Sequence, residues 1–395
     1  MANRTKKIHY HQHAASIHSL YRILFENPPK GYTFIVPYRT AGIETANKNG
    51  IIWWINLHLI KKIVNTVALK DYLFRKKKLP EHDLIYSGGY VVEREEPWVA
   101  DFEYVTSFTG YDNKDLRRRK KSLTAYFSSP HCKALIPINE WSKETFLSMF
   151  NTPVIRKKIH VVRVAIPPTK PIKKIPHKKI TLLFIGSANL PKDFYHKGGK
   201  AIFKVYDRLK KKYDIKLIVR CAIPPELATW IAPYRKDKDI EIIERRLSDK
   251  ELDDVFARSD IMIAPAVITP ALAFLDSMMR EVPVVTTDVW ANKEVVTHKK
   301  TGIIVPGPDI PVYEYAKVPY GIWDLDEQLR HFDDDERFIK GFASGVEILL
   351  KNPSLIKEYG KCGRAEVTTG RLSLPERNKQ LKRVLDTATR GRPRR

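Results

Sequence analysis

Residues 261–309 read IMIAPAVITPALAFLDSMMREVPVVTTDVWANKEVVTHKKTGIIVPGPD, and this stretch decides the fold. Its apolar, β-branched runs alternate with helical patterns and lie at residues 261–265, 282–287 and 302–305. Short apolar runs between helices predict buried parallel strands of a βαβ layer. Thr269 suits the N-cap and Pro270 the first position of the helix after the first run. The N-terminus of that helix would point beyond the carboxyl edge of the sheet, where open α/β sheets bind ligands and helix N-termini favour phosphate.

A regular alternation of strand and helix patterns leads up to this stretch. Apolar runs predict strands at residues 180–185, 215–219 and 240–243. Ser248 and Glu251 form a capping-box signature that starts a helix at residues 248–258. Strands that alternate with helices in this order are typical of a doubly wound nucleotide-binding domain.

The first half of the chain shows a weaker pattern of the same kind. It predicts a first strand at residues 32–38 and further strands at residues 83–86, 97–102 and 134–138. Residues 167–177 are rich in proline and lysine and fit neither a helix nor a central strand. We therefore expect a first domain at residues 1–166, a linker at 167–178, a second domain at 179–372, and a helix with a basic tail at 373–395.

The composition indicates a globular chain with a strongly basic surface. Of 395 residues 43% are apolar, and 70 Lys and Arg against 45 Asp and Glu give a net charge of +25. Such a surface attracts nucleic acid, acidic lipid or phosphorylated substrates, although a lysine-rich surface without a ligand explains it equally well. We see no run of 18 apolar residues and no signal peptide, and the three dispersed cysteines fit a reducing cytoplasm.

Two segments near the N-terminus leave alternatives open. His9, His11 and His13 alternate, which on a strand would place them on one face for a metal, or they belong to an ordinary polar terminus. Residues 51–78 combine Trp53 and Trp54 with a basic end. This segment is either an interfacial helix on an anionic membrane or a core-facing helix with a solvated basic end.

Residues 261–309 also resemble the donor-site signature of the family 4 retaining glycosyltransferases, or glycosyl transferases group 1. The matching parts are residues 275–278, 282–285, 294–296 and 301–309. The sequence departs from that signature at Ile268, where the family has its first acid, and at Glu281, Trp290 and Ala291, where it has glycines. The resemblance implies an α/β protein of the GT-B fold, in which two Rossmann-like doubly wound domains face a central cleft.

The resemblance also implies where a nucleotide-sugar donor binds. A Lys–Gly element at Lys197 and Gly198 would bind the diphosphate, while the arginine of a Gly–Arg pair is replaced by Ser187 after Gly186. Lys192 or Lys200 is a nearby substitute for that cation. Asp276 corresponds to the acid that binds the ribose. The full set of implied donor-binding residues is Gly186, Ser187, Lys197, Gly198, Arg246, Leu247, Thr269, Ala271, Leu272, Asp276 and Glu294.

Candidate catalytic residues follow from the same comparison. Family members often carry a histidine at the end of the strand predicted at residues 97–102, and Asp101 and Glu103 occupy that neighbourhood here. A carboxylate there could orient or deprotonate an acceptor hydroxyl. Lys197 would assist departure of the diphosphate. We find no Asp-x-Asp near the donor site and expect no metal and no cofactor.

The leading functional hypothesis is a hexosyltransferase that moves a sugar from a nucleotide-sugar to a glycan, lipid or protein acceptor. We expect it in the cytoplasm, with peripheral contact to an anionic membrane as an added hypothesis. The alternative is a degenerate GT-B protein that binds a nucleotide or glycan without turnover, because Ile268 and Ser187 replace two expected donor contacts. The hypothesis of a nucleic-acid-binding protein is supported by the net charge alone. The sequence has no RNP motif, zinc finger or base-reading helix, so we expect no specific nucleic-acid partner.

Overall fold

A computed structural model describes residues 4–12, 17–36, 66–191, 193–308 and 332–390. Within these residues the chain divides into two compact units. The first unit takes the residues up to Val164 and those from Arg377 onward, and the second takes those from Ala165 to Glu376. Each unit is built on a parallel sheet flanked by helices, which confirms the predicted α/β fold class. The predictions for His13, Trp53, Trp54, Lys192 and Asp309 concern residues outside the described ones.

The first unit contains a five-stranded sheet in the order β2-β1-β3-β4-β5. Its strands are β1 Lys6–His11, β2 Tyr32–Ile35, β3 Leu84–Gly88, β4 Trp98–Phe102 and β5 Cys132–Pro137, and neighbours pair in parallel. Its helices are α1 Ser19–Glu26, α2 Thr66–Arg75, α3 Asn113–Arg118, α4 Lys120–Ser128, α5 Glu140–Met149 and α6 Pro153–Arg156. A 3₁₀ turn at Val105–Thr109 follows β4. All four strands predicted here are present as β2, β3, β4 and β5, with bounds shifted by up to three residues.

The strand β1 corrects the prediction for the N-terminus. We expected the first strand at residues 32–38 and a polar segment before it, but β1 precedes it and lies between β2 and β3. Ile8 and Tyr10 are fully buried, and His9 and His11 are also buried and stack on the ring of Phe74. The prediction failed because two buried histidines gave this strand a polar sequence.

The second unit contains a six-stranded parallel sheet in the order β11-β10-β9-β6-β7-β8. Its strands are β6 Ile180–Ile185, β7 Ile215–Arg220, β8 Ile240–Ile243, β9 Ile261–Ala264, β10 Val284–Thr287 and β11 Gly302–Val305. Its helices are α7 Asp193–His196, α8 Gly199–Leu209, α9 Ala228–Lys236, α10 Asp249–Ala257, α11 Ala271–Met279, α12 Asn292–Val295, α13 Glu336–Lys351 and α14 Pro353–Thr368, with 3₁₀ turns at Pro225–Leu227 and Phe332–Asp334. The strand order reverses between β6 and β9, which defines a doubly wound sheet.

Local sequence signals explain why these elements form where they do. The four residues of β9 are at most 2% exposed, and burial of each large side chain contributes roughly 1.5–3 kcal/mol. Ser248 and Glu251 form the predicted capping box at the start of α10, with the Ser248 hydroxyl accepting from the Glu251 N–H. Strong apolar runs and a complete cap therefore predicted this sheet well.

The last helix is α15 Leu374–Ala388, and its residues from Arg377 onward belong to the first unit. Leu381, Val384 and Leu385 join the core cluster that contains Ile8 of β1. The Tyr32 hydroxyl donates to an Asp386 carboxylate oxygen at 2.6 Å, which ties the helix to β2. The first unit is therefore completed by the C-terminal part of the chain.

Candidate functional site

The loop after β6 is held tightly against the end of β7. The Gly186 N–H donates to the Arg220 carbonyl oxygen at 2.8 Å. A β-carbon at Gly186 would lie 2.1 Å from the Cys221 sulfur, so a larger residue would force the loop away. The Ser187 hydroxyl accepts from the N–H groups of Asn189 and Leu190 at 3.2 and 3.1 Å. Ser187 therefore shapes the loop through its hydroxyl.

Lys197 and Gly198 lie where the loops after β6 and β9 meet. Gly198 has φ +81°, and a β-carbon on it would be 2.4 Å from the Pro265 carbonyl oxygen. The Val267 N–H donates to the His196 carbonyl oxygen at 3.0 Å. These contacts place the Lys–Gly element at the reversal of strand order, which is where doubly wound sheets bind ligands.

The Lys197 side chain is mostly buried beside one carboxylate. Its Nζ is 3.3 Å from a carboxylate oxygen of Asp193, one turn earlier, and the two side chains are 15% and 18% exposed. Gly198 is the N-cap of α8, so the first N–H groups of an eleven-residue helix lie next to this lysine. The arrangement combines a cation with a helix N-terminus, both of which favour a phosphate.

The segment after β9 differs in detail from our expectation. The predicted N-cap role of Thr269 is wrong, because α11 begins at Ala271 after Pro270, which makes no side-chain cap. The Thr269 hydroxyl instead accepts from the Ala291 N–H at 3.1 Å. Ile268, at the position of the family's first acid, is 9% exposed. At the first turn of α11 the Ala271 N–H donates to the Thr269 carbonyl oxygen at 2.9 Å, and the N-cap residue Pro270 supplies no side-chain cap for Leu272 and the residues after it.

The segment after β10 is tied to the same place. The Thr287 hydroxyl donates to the Ala266 carbonyl oxygen at 2.6 Å, and the Asn292 amide donates to the Thr287 hydroxyl at 3.1 Å. Glu294 lies in α12, and Arg371 donates to its carbonyl oxygen. Loops from three adjacent strands thus converge at one stretch of the carboxyl edge.

Two family glycine positions retain a glycine-like backbone. Glu281 has φ +57° and Trp290 has φ +49°, although neither is glycine. Left-handed backbone costs a non-glycine residue about 1–2 kcal/mol. The chain therefore keeps the backbone conformation that the resemblance implies at positions where its side chains depart.

Asp276 is in the middle of α11 and forms an ion pair. Its carboxylate accepts from Arg280 at 2.8 Å, and Arg280 also donates to Asp253 of α10 at 2.7 Å. The Arg280 side chain is 6% exposed, whereas that of Asp276 is 34% exposed. Arg280 thus joins α11 to α10, and α10 begins directly after the loop that carries Arg246, which is exposed, and Leu247, which is half-buried.

Arg220 is a site residue that the sequence interpretation missed. It is the last residue of β7, and its Nη1 donates to the Gly186 carbonyl oxygen at 2.8 Å. This brings a guanidinium to the loop in which the resemblance led us to expect an arginine. A single arginine at the end of a strand forms no sequence motif. Only its place at the end of the strand predicted next to residues 180–185 could have indicated that it reaches this loop.

In the first unit, Asp101 is buried at the end of β4. It is 5% exposed, and its two carboxylate oxygens accept from the hydroxyls of Tyr21 and Tyr86, each at 2.9 Å. Burial raises the pKa of Asp101 to about 7, although the two tyrosine hydroxyls oppose the shift. Glu103 is half-buried, and its carbonyl oxygen accepts from the Ser142 hydroxyl at 2.5 Å. Asp101 therefore titrates near neutral pH in a polar cluster.

The described residues contain neither a metal-ligand cluster nor a membrane-spanning helix. No group of three or more His, Cys, Asp or Glu side chains in them has the arrangement of a metal site. No helix found there is both long and apolar enough to span a membrane. All three cysteines are free.

The residues described at the carboxyl edge of the second sheet lie in a segment that matches a known family model. Residues 179–317 match the family model of the glycosyl transferases group 1. The sequence has no significant match among curated proteins. The matched segment covers β6 to β11 and hence all the loops described at the carboxyl edge of the second sheet.

Solved structures resemble the whole chain. A glycosyltransferase from Rickettsia africae has a TM-score of 0.61 at 12% identity, with 98% of this chain and 100% of that chain covered. Anabaena HepE in complex with UDP and glucose has a TM-score of 0.61 at 10% identity, with 97% and 100% covered. A sucrose-phosphate synthase from Thermosynechococcus elongatus has a TM-score of 0.63 at 12% identity, with 96% and 98% covered. The two parallel-sheet units therefore have the GT-B fold of glycosyltransferases.

Proposed function

We propose that the protein is a retaining glycosyltransferase of family 4, which transfers a sugar from a nucleotide-sugar to a glycan, lipid or protein acceptor without a metal ion. The observation that carries the proposal is the contact of Gly198 with Pro265, which sets Lys197 and the start of α8 at the reversal of strand order. The family-model match over residues 179–317 supports glycosyl transfer as the reaction.

Departure of the nucleoside diphosphate is the step that this edge would assist. The bond between the anomeric carbon and the phosphate oxygen breaks, and its electron pair stays on the diphosphate. The acceptor oxygen then bonds to the anomeric carbon on the face that the diphosphate left. Lys197 and the N–H groups at the start of α8 stabilise the added negative charge, because fixed charges and dipoles act strongly in a partly buried site.

The acceptor hydroxyl must lose a proton, and Asp101 and Glu103 are our candidates for receiving it. A pKa of about 7 allows Asp101 to exchange a proton near neutral pH. Its two tyrosine partners would hold the carboxylate in one orientation. Glu103 is more exposed and serves as the second candidate.

The remaining donor contacts follow the resemblance to the family's donor-site signature. We assign the ribose to Asp276, the base to the backbone at Arg246 and Leu247, and the sugar to the neighbourhood of Thr269 and Glu294. Ala271 and Leu272 are our candidates for contacts at the start of α11, where Leu272 would offer its N–H group. Anabaena HepE was crystallised with UDP-glucose, so UDP-glucose is the first donor to assay.

A donor-hydrolysis assay over a panel of sugar nucleotides tests the proposal. We expect one donor to be hydrolysed slowly without acceptor and the rate to fall in Lys197→Ala. Proton NMR of the released or transferred sugar should show the anomeric configuration of the donor. Hydrolysis with inverted configuration would contradict the retaining mechanism, and no hydrolysis of any donor would contradict the enzyme.

Metal independence has its own test. We expect turnover to persist in excess EDTA, because Lys197 and helix N–H groups can take the place of a bridging cation. Loss of turnover in EDTA that manganese restores would overturn this part of the proposal.

A second candidate is a GT-B protein that binds a nucleotide or glycan without turnover. It is favoured by Ile268, a buried apolar residue at the position of the first acid, and by Ser187, whose hydroxyl serves its own loop. Nucleotide binding by calorimetry together with no hydrolysis of any donor would support this candidate.

We further propose a cytoplasmic location with peripheral contact to anionic membrane. Leu69, Tyr72 and Leu73 on α2 are 49%, 47% and 58% exposed. Basic residues lie beside them on the helix and after it, namely Lys70, Arg75, Lys76, Lys77 and Lys78. An apolar stripe flanked by cations favours the surface of an acidic bilayer.

A further inference from the structure

The cationic clamp for a donor diphosphate is incomplete at Ser187. The resemblance places an arginine at this position, but the Ser187 hydroxyl accepts from two N–H groups of its own loop. Of the two lysines that could substitute, Lys192 is not among the described residues, and the Lys200 Nζ lies 4.0 Å from a carboxylate oxygen of buried Asp333. A second cation must therefore come from another element if the clamp has one.

Arg220 reaches the same loop from the neighbouring strand. The backbones of Gly186 and Arg220 are joined by the Gly186 N–H, which donates to the Arg220 carbonyl oxygen at 2.8 Å. The Arg220 Nη1 returns to the Gly186 carbonyl oxygen at 2.8 Å. This second bond holds the guanidinium at the carboxyl end of β6, while its Nε has no acceptor among the described residues.

The surroundings of Arg220 favour an anion. Its Nε is buried and donates no hydrogen bond within the described chain, and a buried donor without an acceptor is costly. Burial lowers the pKa of Arg220, and nearby Arg246 adds to that effect. A bound anion would stabilise the positive charge of Arg220 against both its burial and the nearby charge of Arg246.

Lys197 lies close to the same point. Burial raises the pKa of the Cys221 thiol to about 12, and the charges of Lys197 and Arg220 both oppose this shift. Cys221 packs on Gly186 and its sulfur is 3.5 Å from the Ser187 carbonyl oxygen. The two cations therefore act on one thiol at the base of the Gly186 loop.

We propose that Arg220 supplies the guanidinium of the donor clamp and binds the diphosphate of the nucleotide-sugar together with Lys197. The inference rests on the proposed glycosyl transfer. A guanidinium binds phosphate oxygens through two parallel N–H bonds, a geometry that an ammonium cannot give. Relocation of the arginine from the first loop to the end of the adjacent strand keeps it at the carboxyl edge, because parallel strands end at the same edge.

Calorimetric titrations with UDP, ADP, GDP, inorganic pyrophosphate and the matching nucleosides test this role. We expect Arg220→Ala to weaken each diphosphate that binds the wild type by about 10-fold to 100-fold, the range for a charged hydrogen bond. Nucleoside binding should not change. Arg208→Ala is the matched control, because Arg208 is an exposed arginine of the same unit that pairs with Glu336, and it should bind like the wild type.

Two further variants strengthen the test. Arg220→Lys keeps the charge but loses the planar guanidinium, so its diphosphate affinity should be about 5-fold or more weaker than that of the wild type. If circular dichroism shows that Arg220→Ala does not fold, the affinity of Arg220→Lys is the test of this role. The double variant Ser187→Arg with Arg220→Ala should recover affinity, because it restores an arginine in the loop.

The possible outcomes separate the inference from the proposed function. Wild-type protein that binds no diphosphate or pyrophosphate would overturn both. Wild-type binding that is matched by Arg220→Ala and Arg220→Lys would overturn the role of Arg220 alone. An equal loss of nucleoside and diphosphate affinity in Arg220→Ala would show that Arg220 only supports the loop, which also contradicts the inference.

Discussion

Gly198 lies directly against Pro265, and a β-carbon on Gly198 would be 2.4 Å from the Pro265 carbonyl oxygen. This contact joins the loop after β6 to the loop after β9. Its tightness leaves no space for a side chain, and the φ of +81° disfavours every residue except glycine. The position of the Lys–Gly element relative to α11 therefore depends on one close backbone contact.

We expect Gly198→Ala to lower the free energy of unfolding by about 2 kcal/mol or more, because left-handed strain adds to the clash with Pro265. Chemical denaturation measures the change. Gly341→Ala is the control, since Gly341 lies in α13 with nothing within 4 Å of its added β-carbon. That variant should gain about 0.5–1 kcal/mol. Equal stability of Gly198→Ala and the wild type would contradict the contact.

Lys197 and Asp276 should affect the reaction differently. Lys197→Ala should lower kcat/KM for the donor about 100-fold, mostly through kcat, because charge on the diphosphate grows in the transition state. Asp276→Asn should raise KM by about 10-fold with kcat nearly unchanged, because ribose contacts are the same before and after transfer. Steady-state kinetics with saturating acceptor measures both.

The control for this comparison is Lys211→Ala, which removes an exposed lysine in the turn after α8. It should leave both constants unchanged. The assignment of Asp276 would be refuted if Asp276→Asn bound nucleotide as tightly as the wild type. If Lys197→Ala had the same kcat as the wild type, Lys197 would not stabilise the departing diphosphate.

Asp101 should make folding stability depend on pH. Its ordinary pKa is 3.8, and the folded pKa is about 7. Between these values the folded protein keeps a proton that the unfolded chain has released, so this group reduces stability as the pH rises from about 4 to 7. Asp101→Asn cannot ionise, so wild type should lose stability relative to this variant across that window.

Thermal unfolding at closely spaced pH values measures the difference between wild type and Asp101→Asn. Tyr86→Phe offers a companion, because the Tyr86 hydroxyl donates to the carboxylate and holds the pKa of Asp101 down. Removal of this hydroxyl should raise the pKa of Asp101 further, so the decline in folding stability should continue to higher pH than in the wild type. Wild-type and Asp101→Asn curves that run parallel from pH 4 to 7 would show that Asp101 is not perturbed as described.

The exposed side of α2 should bind acidic vesicles. We expect co-sedimentation with phosphatidylserine vesicles, none with phosphatidylcholine alone, and loss of binding as salt rises, since the Debye length is about 8 Å at physiological ionic strength. The double variant Leu69→Gln with Leu73→Gln should bind several-fold more weakly. Val154→Gln, a change at a residue 48% exposed on α6, should have no effect. Binding without preference for acidic lipid would exclude the idea.

Much of the second sheet was predictable because its signals are local. Predicted strands at residues 180–185, 240–243 and 302–305 have the bounds of β6, β8 and β11. Buried parallel strands carry nearly continuous apolar runs, and each run lies in one segment of the chain. The strand β1 was missed because it lacks such a continuous apolar run. His9 and His11 interrupt its apolar pattern, although tertiary packing buries both side chains.

The candidate site was only partly predictable, because its members come from separate loops. The motif match indicated Lys197, Gly198 and Asp276, which lie in two different segments of the chain. The partner of the Thr269 hydroxyl is the Ala291 N–H, 22 residues away, so the local cap prediction could not find it. Nothing in the sequence around Arg220 distinguishes it from the other basic residues.

The sequence by itself determined where the strands of the second unit form, where α10 is capped and which family the segment at residues 179–317 resembles. Apolar runs, capping pairs and short motifs act over a few residues, so these features can be recognised without a structure. The tertiary structure alone decided that β9 lies beside β6, that Gly198 meets Pro265 and that Arg220 reaches Gly186. Strand order and loop contacts depend on packing between distant segments, which no local pattern encodes.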